Sequence, residues 1–167
     1  MISVKIEEAL NEQINAELYS AYLYLSMSAY FESVNLQGFA NWMRSQTQEE
    51  LTHAMRIFDF VNKRGGKVTL KAIAEPAAKW ESPLAVFEAA YKHEQFVTGR
   101  IDDLVNLSAR EKDHATHNFL QWFVKEQAEE EASVNNIVQK LKVIKDTPGG
   151  LFLIDAELAK RASELST

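Results

Sequence analysis

The stretch Gln46-Thr47-Gln48-Glu49-Glu50-Leu51-Thr52-His53 puts charge where a helix would bury its apolar side. In alternating steps of four and three, Phe39, Met43, Gln46, Glu50, His53, Ile57 and Phe60 share one face, apolar at both ends and polar in the middle. Glu50 and His53 are three apart, so their side chains project from that face about one turn apart. Such a helix can pack only into a core that compensates the buried charge.

The same interruption recurs along the chain. Four of its six glycines and all three prolines cluster at Gly65-Gly66, Pro76, Pro83 and Pro148-Gly149-Gly150. The uninterrupted stretches between them predict helices over residues 4–34, 37–64, 83–110, 113–145 and 151–162, with no strand of consequence. The first helix has the seam Leu10, Ile14, Glu17, Ala21, Tyr24, Ser28, Phe31, and the third has Phe87, Tyr91, Glu94, Thr98, Ile101, Val105. The fourth has Leu120, Phe123, Gln127, Glu130, Val134, Ile137, Leu141, Ile144. Ser82-Pro83 and Asp113 are helix-start signals. Between Leu18 and Phe31 the first helix is apolar off its seam as well, which suggests subunit contacts. Leu151-Phe152-Leu153-Ile154 is too apolar for a free tail, and the last residues read as a frayed end.

A structureless connection over 65–82 has to be accounted for. About 17 extended residues reach at most about 55 Å, and a helix of about 27 residues is about 40 Å long. The connection can therefore run the length of a bundle and restart at its far end. At 167 residues the chain is read as one domain, residues 1–167.

Glu94 and Glu130 are equally far from the turn at residue 112, and Glu17 and Glu50 lie at similar distances from the turn between the first two helices. Glu17, Glu50, His53, Glu94, Gln127 and Glu130 thus converge on one level. A single polar core residue needs no chemistry. Four glutamates at one level do, because buried like charges cannot all stay ionised and no seam supplies a Lys or Arg. Either a cation or several protons must balance them. Thiolate zinc and iron–sulfur sites are excluded by the absence of cysteine. Ca²⁺ and Mg²⁺ sites rarely recruit histidine, whereas carboxylates with imidazole suit iron or manganese, and four carboxylates carry charge enough for two divalent ions. The net charge of −6 argues against nucleic acid. No leader or membrane span is evident, so the cytoplasm is the expected compartment.

The pattern Glu17, Glu50-x-x-His53, Glu94, Gln127-x-x-Glu130 resembles the ferroxidase centre of non-haem bacterial ferritins, as do Glu49-Glu50-Leu51-Thr52-His53-Ala54 and Phe119-Leu120-Gln121-Trp122-Phe123. The resemblance covers nearly the whole chain. It implies an all-α, ferritin-like four-helix bundle with a long crossover between the second and third helices and a short fifth helix. The implied function is iron storage: Fe²⁺ is oxidised by O₂ or H₂O₂ at a di-iron centre and the ferric product is deposited inside a homo-oligomeric 24-mer cage. By the same resemblance the first iron takes Glu17, Glu50 and His53, and the second takes Glu50, Glu94 and Glu130. Gln127 is a hydrogen-bonding or weak ligand.

Gln127-x-x-Glu130 stands where symmetric di-iron proteins carry Glu-x-x-His, which implies a looser second site. A third iron site is implied at Glu49, Glu126 and Glu129, with Glu130 shared, while Glu131 is expected to point elsewhere. Tyr24, one heptad after Glu17, is at the position of an electron donor. Trp122 could be another, although packing suffices to explain it. His93, His114 and His117 are read as ordinary surface or capping residues. Bacterioferritins carry a haem-ligating methionine directly after the second-helix glutamate. Leu51 stands there in this chain, so no haem is expected. The alternative on this fold is a di-iron peroxidase or oxygenase that retains its metals. The missing second Glu-x-x-His and the lack of spare chain for a substrate pocket weigh against it.

Overall fold

The computed structural model describes residues 2–164, with side chains through Lys160; the end expected to fray lies largely outside these residues. Among the described residues there are five helices and no strand: α1 (Val4–Ser33), α2 (Gln37–Lys63), α3 (Pro83–Arg110), α4 (His114–Ile144) and α5 (Gly150–Glu164). The two helix-start signals read from the sequence cap helices here, and the fourth and fifth helices begin one residue from the expected positions. Ser82 Oγ accepts the Ala85 amide at 3.1 Å with Pro83 at the first helical position, and Asp113 Oδ1 accepts the Thr116 amide at 3.0 Å. The turn from α1 into α2 closes through Asn35 in the left-handed region (φ 59°), with the Leu36 amide donating to the Phe31 carbonyl at 3.0 Å.

The connection between α2 and α3 runs as expected, from one end of the bundle to the other along the flank of α1. The Lys67 carbonyl accepts from Asn11 at 2.9 Å, the Ala72 carbonyl from Asn15 at 3.1 Å and the Ala77 carbonyl from Ser26 at 2.6 Å. Trp80 then meets Tyr30 edge-on, 5.7 Å between ring centres. A segment without regular structure has its backbone carbonyls satisfied by polar side chains spaced along one helix edge.

Two apolar clusters fill the bundle. One contains Tyr24, Phe31, Phe39, Trp42, Phe87 and Val134. The other contains Leu10, Ile14, Ile57, Ile101, Leu120 and Phe123. The buried polar residues of the four seams lie between them. In α3 the buried face differs by one step from the expected seam: Ala90, Val97 and Leu104 are buried, while Tyr91, Thr98 and Val105 are only half-buried. The smaller Ala90 takes the fully buried position, and the amphipathic Tyr91 is left partly buried against the same cluster. Similarly Val61 takes the core position expected of Phe60, which stacks on Phe119 at 3.9 Å between ring centres.

Helix α5 docks against the start of α2. Ile154 and Leu158 are buried, and Asp155 Oδ1 accepts the Phe39 amide at 3.0 Å, a carboxylate at a helix N-terminus. The approach requires Gly38: a Cβ there would lie 1.7 Å from the Asp155 carbonyl oxygen. Phe152 and Leu153 face outward, 72% and 74% exposed. Tyr22, Leu25, Leu51 and Ile73 are also exposed, around a groove of about 240 Å³ on the side of α1 and α2. No described helix is long and apolar enough to cross a membrane.

Candidate metal centre

Each of the four long helices contributes to the polar layer, and Glu17, Glu50, His53, Glu94, Gln127 and Glu130 are all buried there. Glu17, Glu50 and His53 offer ligand atoms that all lie within 4.8 Å of one another. The Nδ1 atom of His53 is 3.4 Å from Glu50 Oε2. A second group of the same kind joins His53, Glu126 and Glu130. Of the residues expected at a third site, Glu126 and Glu130 are thus brought together, with His53 as their neighbour. Glu129 is exposed, 3.6 Å from Lys125, and Glu49 is half-buried; neither belongs to this group.

Neutral donors hold the carboxylates from outside. Gln13 Nε2 donates to Glu17 Oε1 at 2.8 Å, and Gln46 Nε2 to Glu130 Oε2 at 2.8 Å. Gln127 Nε2 donates to Glu94 Oε2 at 3.1 Å, and the Tyr24 hydroxyl donates to Glu94 Oε1. An amide N–H supports an anion without adding a cation that would compete for its charge. Thr98 lies beside Gln127 and donates to Glu131 at 2.6 Å, so Glu131 turns toward α3.

The electrostatics follow from this crowding. Burial raises Glu50 well above the ordinary carboxylate range, and the charges of Glu17, Glu94 and Glu130 push it further. Burial also lifts Glu94, whose value of about 7 reflects opposing hydrogen bonds from Tyr24 and Gln127 and further repulsion from Glu17 and Glu131. The Tyr24 phenol is raised well above its usual value by burial and by the neighbouring Glu94 and Glu50.

The buried Glu17 Oε2 and His53 Nδ1 have no hydrogen-bond partner. Leaving a buried polar atom unpaired costs about 1–3 kcal/mol, more for a charged one. Both residues belong to the group that converges with Glu50, and a divalent cation bound there would balance the carboxylates. The donor set of oxygens with one imidazole therefore fits iron.

Residues outside the sequence reading also shape the site. Gln13 is fully buried one turn before Glu17, a spacing visible in the chain, but a glutamine at that position carries no chemical signature of its own. Gln46 was visible in the seam, but its bond crosses the bundle to Glu130 and could not be read from spacing. His93 departs from its expected role as an ordinary surface residue. It is half-buried, its Nε2 lies 2.8 Å from Ser20 Oγ, and burial lowers its pKa to about 4, so it is neutral at physiological pH. His117 sits 3.2 Å from Ser108 Oγ near the turn between α3 and α4, and His114 is exposed.

An antiparallel helical bundle with one lengthwise crossover and a buried layer of carboxylates around an imidazole defines the ferritin-like class of carboxylate metal proteins. Comparison with known proteins narrows this. A family model described as a ferritin-like domain matches residues 7–144. The chain is 48% identical over 161 residues to a bacterial non-heme ferritin of Bacteroides fragilis, covering 96% of this chain and 100% of that one. It is 42% identical to the bacterial non-heme ferritin of Campylobacter jejuni, covering 93% of each chain. An open pore ferritin from the archaeon Archaeoglobus fulgidus superposes with a TM-score of 0.94 at 59% identity, covering 95% of this chain and 98% of that one. The chain belongs to the ferritin family.

Proposed function

We propose that this protein stores and detoxifies iron by oxidising Fe²⁺ at the polar layer and releasing Fe³⁺ into the interior of a cage built from copies of itself. The observation that carries this reading is the convergence of Glu17, Glu50 and His53 in the buried core, where Glu17 Oε2 and His53 Nδ1 make no hydrogen bond. Iron is the substrate. The first Fe²⁺ is held by Glu17, Glu50 and His53, and the second by Glu50, Glu94 and Glu130, with Glu50 shared. Gln127 steadies Glu94 from outside. As the ions enter, the raised carboxyls of Glu50 and Glu94 release their protons and become anionic ligands.

Two Fe²⁺ give up one electron each. With H₂O₂ as acceptor, two protons are consumed and two waters form; with O₂, the same two electrons and two protons yield H₂O₂. Where the phenol of Tyr24 supplies a third electron and an Fe²⁺ at the third site a fourth, O₂ takes four electrons and four protons to two waters, and the phenolic proton leaves by way of Glu94 Oε1, which the hydroxyl touches. The second site has no imidazole among its expected ligands, so its Fe³⁺ is held loosely and moves on past the shared Glu130 to a third iron site at Glu126 with Glu129 and Glu49; the nearness of Glu126 to Glu130 supports this route, whereas Glu129 and Glu49 stand outside that group. Leu51 offers no ligand atom for haem iron, and the protein works without haem. The cage is a 24-mer located in the cytoplasm, and neither nucleic acid nor membrane is a partner.

The test is anaerobic Fe²⁺ titration followed by exposure to air, on wild type and Glu50→Ala, with native mass recorded. The expected result is fast oxidation of about two Fe²⁺ per chain, as a paired carboxylate site requires. Continued uptake into a particle of 24-mer mass follows, and the fast phase is lost in the variant. A small particle that binds two irons and accumulates none would instead indicate a di-iron redox enzyme that keeps its metals.

A further inference from the structure

The four carboxylates of the layer are not held alike, and the difference singles out Glu17. Gln13 lies one turn before it on α1 with its side chain fully buried, and its Nε2 donates to Glu17 Oε1 at 2.8 Å. The other end of the same amide accepts from Arg100 Nε of α3 at 3.0 Å. A guanidinium can only donate and an ionised carboxylate can only accept, so an amide placed between them has one orientation, oxygen toward Arg100 and nitrogen toward Glu17. Gln46, the donor to Glu130, has no such anchor, because its Oε1 is buried without a partner.

We propose that Gln13 and Arg100 are positioning residues for the first metal: Arg100 orients the Gln13 amide, and the amide holds Glu17 so that Oε2 alone is offered to the ion. The inference rests on the metal-binding reading above. Glu17 Oε2 is buried without a hydrogen bond, and Glu17 is in the group formed with Glu50 and His53. With one lone pair of Oε1 engaged, swinging to chelate one ion through both oxygens would strain the Gln13 hydrogen bond, which favours binding through the second oxygen.

The arrangement also explains why the arginine acts at one remove. A guanidinium directly on Glu17 would neutralise the charge that attracts a divalent cation and would have to be stripped of water in the dry layer. Arg100 is only half-buried, and an uncharged amide carries its orienting effect inward. The carboxylate is held in place while its charge remains available to the metal. Outer partners that orient metal ligands in this way change metal affinity by roughly 10–100-fold when removed.

The test is anaerobic Co²⁺ titration of metal-free protein, followed by calorimetry and by the d–d absorption of the bound ion, with thermal unfolding of each metal-free variant alongside. Gln13→Leu should weaken the tighter Co²⁺ step by about 10–100-fold and alter that ion's spectrum, leaving the weaker step as it is. Arg100→Gln, at a half-exposed position where folding is not at stake, should weaken the same step to a lesser degree. Combined with Gln13→Leu it should add nothing, because its effect passes through the amide. The proposal is overturned if either variant keeps wild-type affinity and spectrum, if both steps weaken alike, or if the two substitutions add independently. Failure of the wild type to take up Co²⁺ would overturn the metal-binding reading and this inference with it, whereas normal wild-type binding with unaltered variants overturns this inference alone.

Discussion

The phenol of Tyr24 donates its hydrogen to Glu94 Oε1 in the interior of the bundle, where both side chains are almost wholly shielded from water. This bond joins the aromatic cluster containing Trp42, 6.5 Å from Tyr24 between ring centres, to the carboxylate layer. Tyr24→Phe keeps the ring and its packing but removes the donor. The variant should fold normally, with a stability change on the order of 1 kcal/mol. Freeze-quenched paramagnetic resonance during Fe²⁺ oxidation should show a tyrosyl signal in wild type that is absent from Tyr24→Phe. The same signal in both proteins would remove Tyr24 from the electron path.

The metal-free protein should lose stability as pH rises through neutrality. Glu94 is raised from 4.5 to about 7, and Glu50 is raised well above the same ordinary value. Between the unfolded and folded values the native state holds protons that the unfolded chain has released, so stability is highest on the acid side of this window and falls toward its alkaline end. Asp113 and His93 work in the opposite direction: hydrogen bonds from Arg64 and Thr116 outweigh burial and hold Asp113 below its usual range, under this window, while burial lowers His93 from 6.5 to about 4, so its contribution grows up to about pH 6.5 and offsets part of the loss on the acid side. The melting temperature in chelator should be higher at about pH 5.5 than at about pH 7.5. Saturating Co²⁺ should reverse that order, since the ion replaces the protons. A chelated protein that gains stability over this interval would show that the layer is not crowded as described.

Gly38→Ala should dislodge α5. The added methyl would lie 1.7 Å from the Asp155 carbonyl oxygen, so helix and carbonyl must part, and the Phe39–Asp155 hydrogen bond goes with them. A forced backbone shift of this kind costs about 1–3 kcal/mol. Limited proteolysis should cut the variant between α4 and α5 much faster than wild type while leaving α1–α4 intact. Equal cleavage rates would mean that the approach relaxes without cost.

Leu25→Glu should weaken assembly without unfolding the subunit. Leu25 lines the exposed apolar groove with Tyr22, Leu51 and Ile73, and a carboxylate buried there between two copies would be unpaired. Native mass spectrometry should show smaller assemblies with unchanged helicity. A particle of wild-type mass would place the subunit contact elsewhere.

The helices, the lengthwise connection and the polar level could be read from the chain because each leaves a local or periodic trace. Ser82-Pro83 marks a start, and the spacing of Glu17, Glu50, Glu94 and Glu130 from the turns fixes a common height. Ala90 was not legible as a core residue, because periodicity admits both Ala90 and Tyr91 and only the width available at the bundle axis chooses between them. The support from Gln13 and Arg100 was hidden for a related reason: it links α1 to α3 through a side-chain amide, and such a contact has no sequence period. His93 looked like a surface residue because its neighbours come from other parts of the chain: Tyr19 lies 5.7 Å away between ring centres, and Ala72 and Ala74 of the long connection line the same cavity. For the third iron site, sequence spacing favoured one edge of α4, whereas the structure draws His53 of α2 toward Glu126 and Glu130.

The most direct measurement is anomalous diffraction at the iron edge from crystals soaked anaerobically in Fe²⁺. Anomalous peaks are expected inside the bundle, one bounded by Glu17, Glu50 and His53 and a second beside Glu94 and Glu130. Iron confined to the outer surface or to the exposed acidic side chains, with nothing between those residues, would contradict the account.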